Sequence, residues 1–151
     1  MIAAIKFQME HGMDLNEIFR PGMVKEERFQ VSDERTAIQI GSGASRVLAT
    51  PWMIAFMERA SHGMLASGLP KGFSSVGVAV NVRHLAPTPV GDMVRVRSEI
   101  TAIDGWRVNF HVEAWDSKEK IGEGEHQRFV IDEGRFLKRV ASKHGPDGGP
   151  R

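Results

Sequence analysis

One stretch decides the fold of this chain: Thr50-Pro-Trp-Met-Ile-Ala-Phe-Met-Glu-Arg-Ala-Ser-His-Gly-Met-Leu-Ala-Ser-Gly-Leu69. Its ends carry helix signals, because Thr50 is a capping residue, Pro51 suits the first helical position and Gly68 favours termination. The first two turns, 52–57, are apolar all round, whereas a surface helix carries a single apolar stripe. We therefore predict a long central helix that is enclosed on most of its sides.

Downstream of this helix, apolar residues recur at every second position. Valines alternate from Val76 to Val82 and His84 follows in the same phase, which predicts a strand with one face on the core and an inward-pointing histidine. A turn at 87–92 leads to a second strand, where apolar and charged residues alternate over 94–100. Both segments are therefore expected in one antiparallel sheet.

The pair Asp104-Gly105 lies between two alternating runs and predicts a tight hairpin. The returning strand is expected to place on its inner face Trp106, Val108, Phe110, Val112 and Ala114. A last strand is predicted over 121–131, where Gly122 and Gly124 indicate a bulge or the close approach of another backbone.

An earlier strand is predicted near 27–31, so the element order is strand, long helix, and a meander of three or four strands. This order leaves no room for the crossovers of a parallel sheet and predicts an α+β domain, with an antiparallel sheet curled around one helix. We expect the domain over 21–140. Residues 1–20 are an N-terminal extension that could add a short helix, although Met13 resembles a second start, and 141–151 have the composition of a flexible tail.

Composition and charge narrow the class of function. The 151 residues suit one domain, and a net charge of +1 lacks the basic footprint of nucleic-acid binding. The absence of cysteine removes disulfides, thiolate nucleophiles and Cys-based zinc sites, and the six histidines lack the helical pairing of a zinc site, so no metal is expected. Without a secretory signal or a long apolar run, we expect a cytoplasmic protein with no membrane partner.

Five short segments carry a family resemblance: Val47-Leu-Ala-Thr50-Pro51, Met57-Glu58, Val76-Gly77, His84-Leu-Ala-Pro-Thr-Pro-Val-Gly91 and His126-Gln-Arg128. Together they resemble the thioesterases related to fluoroacetyl-CoA thioesterase, over residues 24–137. The resemblance implies a hot-dog fold and the hydrolysis of an acyl-CoA thioester to a free acid and coenzyme A. It also implies a homodimer, with a higher oligomer as an option, that has its active sites at the subunit interface. No cofactor is expected, because coenzyme A is part of the substrate.

The resemblance also implies roles for particular residues. The family's catalytic set is a threonine, a glutamate and a histidine, and the matching positions are Thr50, Glu58 and His84. Gly77 matches a glycine that lines the acyl pocket, and Arg128 matches an arginine near the site, so both are predicted to bind substrate.

One segment departs from the family pattern. The fluoroacetyl-specific enzyme gates its pocket with aromatic residues ahead of the threonine, whereas Gly41-Ser-Gly-Ala44 contains none. We therefore expect a different or broader acyl group.

Each member of the catalytic set also has an explanation that needs no catalysis. Thr50 could cap the helix, Glu58 could pair with His62 one turn later, and His84 could be a satisfied histidine at a strand end. In a regular helix, Thr50 and Glu58 are also roughly 12 Å apart along the axis. The substrate could bridge this gap, the first turn could be irregular, or the partner subunit could supply one of the groups.

Two other functions compete with hydrolysis. A hot-dog enoyl-CoA hydratase carries an Asp two residues before the Asn of an Asn-x-x-His motif, but Ala79 stands there, ahead of Asn81 and His84. A non-catalytic acyl-CoA-binding protein would keep the pocket and lose the reactive groups. The presence of Thr50 and Glu58 beside His84 argues against that alternative.

Overall fold

The computed structural model describes residues 12–145 and contains a five-stranded antiparallel sheet with strand order β1-β3-β4-β5-β2. The strands are β1 (Val24–Gln30), β2 (Phe73–His84), β3 (Met93–Asp104), β4 (Arg107–Trp115) and β5 (Lys120–Asp132). The sheet therefore has β1 and β2 as its two edges, and the predicted early strand and meander are confirmed.

In the described part of the chain, residues 12–145, three helices accompany the sheet: the single-turn α1 (Ala37–Ile40), the long α2 (Thr50–Ala66) and α3 (Glu133–Ser142). Short 3-10 turns occur at Leu15–Glu17 and Asp33–Arg35. Within residues 12–145, none of the helices has the length and apolar character that a membrane crossing needs.

The long helix α2 begins differently from the prediction. Ala49 is the N-cap, Thr50 is already helical, and the cap makes no side-chain hydrogen bond. The prediction that Thr50 caps the helix is therefore wrong, because its hydroxyl is bonded to a residue of β2 instead. Pro51 still lies in the first turn, where its missing N–H costs no helical hydrogen bond.

One side of α2 packs against the sheet. Its buried residues recur at intervals of three and four and form a single stripe: Met53, Phe56, Met57, Ala60, Ser61, Met64 and Leu65. The ring of Phe56 stacks on Phe29 of β1, with 4.5 Å between the ring centroids. Ile54 and Ala55 are only half-buried, so the predicted enclosure on most sides is wrong for the single chain, because the sheet covers only one side.

The β3–β4 hairpin follows the predicted pattern closely. Asp104 pairs with Arg107, so the chain turns at Gly105 and Trp106, one residue later than predicted, and Gly105 has a positive φ of 60°. The residues predicted to point inward are all fully buried: Val94, Val96, Ser98, Ile100, Trp106, Val108, Phe110, Val112 and Ala114. Trp106, which was predicted on the returning strand, lies in the turn before it. Strict alternation succeeds here because β3 and β4 each have a neighbouring strand on both sides.

The valines of β2 do not form the predicted core stripe. The pairing of β2 with β5 shifts register between Gly77 and Ala79, which is a β-bulge. Val78 and Val80 leave 50% and 40% of their surface exposed. The prediction fails for two physical reasons: the bulge changes the phase of the strand, and β2 is an edge with a neighbour on one side only.

The two glycines of β5 lie where α2 and β2 come close to the strand. Close approach was one of the two alternatives predicted for them, beside a bulge. A Cβ at Gly122 would overlap the Sδ atom of Met53, and a Cβ at Gly124 would overlap the carbonyl oxygen of Asn81. Side chains at these positions would therefore push α2 and β2 away from β5.

The short helix that residues 1–20 could add is present as a single 3-10 turn, whereas the helix at the other end of the chain was not predicted. The turn at Leu15–Glu17 buries Leu15 completely, while residues 1–11 of the predicted extension lie outside the described residues. The helix α3 was not predicted, and its apolar residues Phe136, Leu137 and Val140 are exposed. Residues 146–151 of the predicted tail also lie outside the described residues.

Charged side chains cover the sheet face that points away from α2. The ring of His111 lies between two carboxylates, with Nδ1 2.9 Å from Glu125 and Nε2 3.1 Å from Glu113. Lys120 contacts Glu113 and Glu123 at 3.0 and 2.6 Å. The hydrogen bond to Glu125 raises the pKa of His111 above its usual range.

This raised pKa predicts a pH-dependent contribution to stability. Protonated His111 stabilises the fold fully below its unfolded pKa of about 6.5, and this contribution is lost as the pH rises through the raised folded pKa. Between about pH 6 and pH 8.5, the unfolding temperature of the wild type should fall by roughly 1–4 °C more than that of His111→Gln. Thermal unfolding followed by circular dichroism measures this difference, and the same pH dependence in both proteins would contradict it.

Candidate active site

A short hydrogen bond joins the first residue of α2 to the last residue of β2. Thr50 Oγ1 lies 2.7 Å from Nδ1 of His84. Burial lowers the pKa of His84, and a hydrogen bond with the backbone of Ala86 opposes this shift. Nδ1 is the nitrogen that contacts Thr50, and Nε2 on the other side of the ring is buried.

The neutral imidazole suits proton transfer from this hydroxyl. With its proton on Nε2, His84 has a lone pair on Nδ1 that accepts a hydrogen bond from the Thr50 hydroxyl. A base within hydrogen-bonding reach of a hydroxyl is the arrangement that activates a nucleophile. The pair therefore has a chemical capability that a cap or an isolated strand-end histidine would lack.

An open cleft of about 380 Å³ surrounds this pair. The described residues that line it are Ala37, Ser42, Val47, Leu48, Thr50, His84, Leu85, Ala86 and Pro87. No Phe, Tyr or Trp is among them, which leaves room for an apolar group beside the hydroxyl.

Glu58 lies in a second cleft, further along α2, of about 270 Å³. Its Oε2 is 3.3 Å from Nη1 of Arg128, which is almost fully buried, whereas the Glu58 side chain is 41% exposed. Ala55, Arg59 and His62 complete the lining of this cleft. The carboxylate is therefore anchored on one side and open on the other.

The structural partner proposed for Glu58 from the sequence is not observed. His62 Nδ1 is 3.4 Å from Ser75 Oγ, and Glu58 pairs with Arg128. The expectation of an i,i+4 pair between Glu58 and His62 is wrong, because a buried guanidinium is a stronger partner for a carboxylate than an imidazole one turn away.

Gly77 leaves the space that Glu58 occupies. A Cβ at this position would overlap Oε2 of Glu58 and would lie 3.3 Å from Cε1 of His126. The glycine therefore sits at the site, against the carboxylate rather than in the cleft beside Thr50. Its role, and that of Arg128, in binding substrate stays a prediction.

The three predicted catalytic residues form two groups in a single chain. Thr50 and His84 are in contact, but α2 is one continuous helix, so Glu58 remains roughly 12 Å from Thr50 along the axis. Of the three explanations open at the sequence level, an irregular first turn is excluded. Within residues 12–145, no group of three or more His, Cys, Asp or Glu side chains is placed to hold a metal ion.

Sequence reasoning missed two residues that complete the Glu58 group. Ser75 accepts a hydrogen bond from Nε of Arg128 at 2.9 Å, and His126 lies 3.2 Å from Nη1 of Arg128. The sequence did contain a pattern that could have identified this group. His126 and Arg128 alternate with the apolar Val130 along β5, so all three side chains point to the same, buried face. Polar residues at core positions indicate a hydrogen-bonded cluster.

The fold and the site together indicate a class of protein. An antiparallel sheet packed on one long helix is a hot-dog domain, and the helix start carries a hydroxyl with an attached base. A hydroxyl with a base within hydrogen-bonding reach is the arrangement of an activated nucleophile, which is a chemistry that hydrolases use.

The comparisons with known proteins agree with this class. Residues 31–134 match the fluoroacetyl-CoA-specific thioesterase family, and the chain belongs to that family. The fluoroacetyl-CoA thioesterase of Streptantibioticus cattleyicolor is 38% identical over 97 residues, which are 64% of this chain and 70% of that protein. The predicted family and hot-dog fold are thus confirmed.

Solved structures support the same assignment. A structure of a fluoroacetyl-CoA thioesterase is similar with a TM-score of 0.79 and 32% identity, covering 83% of this chain and 97% of that chain. A hot-dog-like protein from Thermanaerovibrio acidaminovorans is similar with a TM-score of 0.81 and 29% identity, covering 92% of this chain and all of that chain, 100%.

The crowding at Gly77 predicts that an added methyl group is costly there. Gly77→Ala should displace Glu58 and leave the buried Arg128 poorly paired, which lowers the free energy of unfolding by about 1–3 kcal/mol. The control is Gly63→Ala in α2, where the added Cβ would contact only the flexible Lys25 side chain. That change should be neutral or stabilising by up to about 1 kcal/mol. Urea unfolding of both variants measures the difference, and equal effects would contradict the assignment.

Proposed function

We propose that this acyl-CoA thioesterase uses Thr50, Glu58 and His84 as its catalytic residues. The observation that carries the proposal is the 2.7 Å contact between the Thr50 hydroxyl and His84, in a cleft at the start of α2. Thioester hydrolysis needs a nucleophile, a group that takes its proton, and donors for the developing oxyanion. Thr50 and His84 supply the first two. In the first turn of α2, Trp52 and Met53 already donate to the Ala49 carbonyl and Pro51 has no N–H, so the donor that we propose for the third is the backbone N–H of Thr50.

The reaction proceeds in two steps in this proposal. Thr50 Oγ1 attacks the thioester carbon while its proton passes to Nδ1 of His84, and coenzyme A leaves as the thiol by taking up that proton. Glu58 then orients and deprotonates a water molecule that hydrolyses the acyl ester of Thr50. The bond between the acyl carbon and Thr50 Oγ1 then breaks, and the proton that Glu58 took from the water passes to Oγ1, which releases the free acid and restores the threonine hydroxyl.

The distance between Thr50 and Glu58 calls for a second subunit. We infer a homodimer in which one subunit supplies Thr50 and His84, and the partner subunit supplies the glutamate. The strand β2 supports this assembly, because it is an edge strand of twelve residues with Val78 and Val80 exposed. Exposed edges with apolar side chains pair readily with another strand.

Symmetry explains how the dimer would complete the site. A two-fold axis that pairs β2 with its copy runs the two strands antiparallel. The His84 end of one strand then approaches the Gly77 region of the other, and Glu58 lies against Gly77. The Thr50–His84 pair of one subunit would thus face the carboxylate of the other.

The lining of the cleft bears on the acyl group. Ala37, Ser42 and Ala86 are small, and no aromatic ring narrows the described wall. We therefore propose acyl groups larger than fluoroacetyl as substrates.

A cytoplasmic location and the lack of a cofactor remain predictions. The first rests on the cysteine-free composition, and the second on the fact that coenzyme A is part of the substrate.

The catalytic assignment predicts two inactive variants. Glu58→Gln and His84→Ala should each lower the rate of thiol release from acyl-CoA by about 100-fold or more, because each removes a proton-transfer group. The assay uses a panel of short, branched, aromatic and long acyl-CoAs with a thiol-reactive dye. Glu125→Gln is the matched control, since this exposed glutamate of β5 lies on the opposite face of the sheet. Wild-type rates in both catalytic variants, with unchanged unfolding temperatures, would end the assignment.

The shared site predicts complementation between two inactive variants. A heterodimer of Thr50→Ala and Glu58→Gln, purified through two different affinity tags, contains one site with all three catalytic groups intact. It should therefore have about half of the wild-type activity per dimer, while each parent homodimer is inactive. If each chain instead builds its own site, the heterodimer will be as inactive as the parents.

A further inference from the structure

Two buried polar residues of β5 support Glu58 from behind. His126 exposes 1% and Arg128 exposes 5% of its surface, and both lie on the face of β5 that packs toward α2. Buried polar groups are costly unless hydrogen bonds satisfy them. The hydrogen bonds of His126 and Arg128 therefore indicate what these two residues do in the structure.

The protonation of His126 is set from both sides. Its Nδ1 lies 2.9 Å from the carbonyl oxygen of Ala79, which only accepts, so Nδ1 donates. Its Nε2 lies 3.2 Å from Nη1 of Arg128, which only donates, so Nε2 accepts. His126 is therefore neutral with its proton on Nδ1, and burial lowers its pKa in the same direction.

The bulge in β2 explains how Ala79 reaches the histidine. The register shift falls between Gly77 and Ala79, opposite Arg128 and Gln127 of β5. A bulge disturbs the ladder and leaves a backbone group free for another partner. The carbonyl of Ala79 takes this role. The ring of Phe110 packs beside the imidazole with 6.1 Å between the ring centroids, but the two hydrogen bonds set the orientation of the imidazole.

Three residues hold the guanidinium of Arg128 in place: Ser75, His126 and Glu58. Nε donates to the Ser75 hydroxyl at 2.9 Å and Nη2 donates to the Ser75 carbonyl at 3.0 Å. Nη1 is divided between His126 at 3.2 Å and Glu58 Oε2 at 3.3 Å. Because the guanidinium is planar, these contacts fix the direction from which Nη1 approaches the carboxylate.

We propose that His126 is a positioning residue for the hydrolysis. As a neutral acceptor, it holds Nη1 of Arg128 where this atom pairs with Glu58, and so keeps the carboxylate in one orientation in its cleft. The inference rests on the catalytic role proposed for Glu58.

Stability alone gives a poor account of this cluster. A buried ion pair contributes little net stability compared with apolar packing of the same volume. The Glu58 side chain is 41% exposed, so without a fixed partner it would sample several rotamers in the open cleft. The cluster therefore fixes the orientation of the Glu58 carboxylate. This matters for the rate, because a displacement of about 1 Å at a catalytic group can lower it by up to about 100-fold.

Three variants separate positioning from packing. His126→Leu keeps the approximate volume and removes both hydrogen bonds, whereas His126→Gln restores a donor and an acceptor on one amide. Phe110→Leu disturbs the packing around the imidazole and leaves its hydrogen bonds in place. We expect kcat to fall about 10- to 100-fold in His126→Leu with KM within about 3-fold of wild type. His126→Gln and Phe110→Leu should stay within about 3-fold of the wild-type kcat.

A double-mutant cycle tests whether the effect passes through Glu58. In the Glu58→Gln background, His126→Leu should cost no further activity, because the carboxylate that it positions is gone. A multiplicative loss in the double variant would show that His126 acts independently of Glu58 and would overturn the inference alone. Full activity of Glu58→Gln by itself would overturn both the inference and the catalytic assignment.

A fourth variant covers the case in which His126→Leu does not fold, as judged by thermal unfolding. His126→Asn has a shorter amide that reaches Ala79 and falls short of Arg128. We expect the reduced kcat in His126→Asn and its recovery in His126→Gln. Equal, wild-type kcat values in these two variants would overturn the inference.

Discussion

The packing of α2 on one face of the sheet is the constraint on which the rest of the structure depends. Met53, Phe56 and Met57 are fully buried, and each contributes about 1.5–3 kcal/mol through burial of its side chain. Because the helix is rigid, this packing fixes the positions of the two residues of the proposed catalytic set that it carries. Thr50 at its start meets the end of β2, and Glu58 two turns later meets the beginning of the same strand.

The edge strand β2 connects the two halves of the site. His84 at its end holds the Thr50 hydroxyl, while Gly77 near its start makes room for the Glu58 carboxylate. The bulge between Gly77 and Ala79 has two structural consequences. It breaks the inward phase of the valines, and it directs the carbonyl of Ala79 to His126.

The successes and failures of sequence reasoning have separate physical causes. The alternation over 94–100 predicted burial correctly, because β3 has a strand on both sides and no irregularity in that segment of its pairing with β1. The same pattern failed for Val78 and Val80, where an edge and a bulge intervene. Local pairing also failed for Glu58 with His62, since a guanidinium from a distant strand is the stronger partner.

The sequence by itself determined the order of helix and strands, the hairpin at Asp104, and the residue types that the chemistry needs. These depend on periodicity and turn preferences, which act over a few residues. Only the tertiary structure decided the partners, with Thr50 bonded to His84 at a separation of 34 residues and Glu58 to Arg128 at a separation of 70. Such contacts depend on where a rigid helix rests on a sheet and on the register of its strands, and neither leaves a local pattern in the chain.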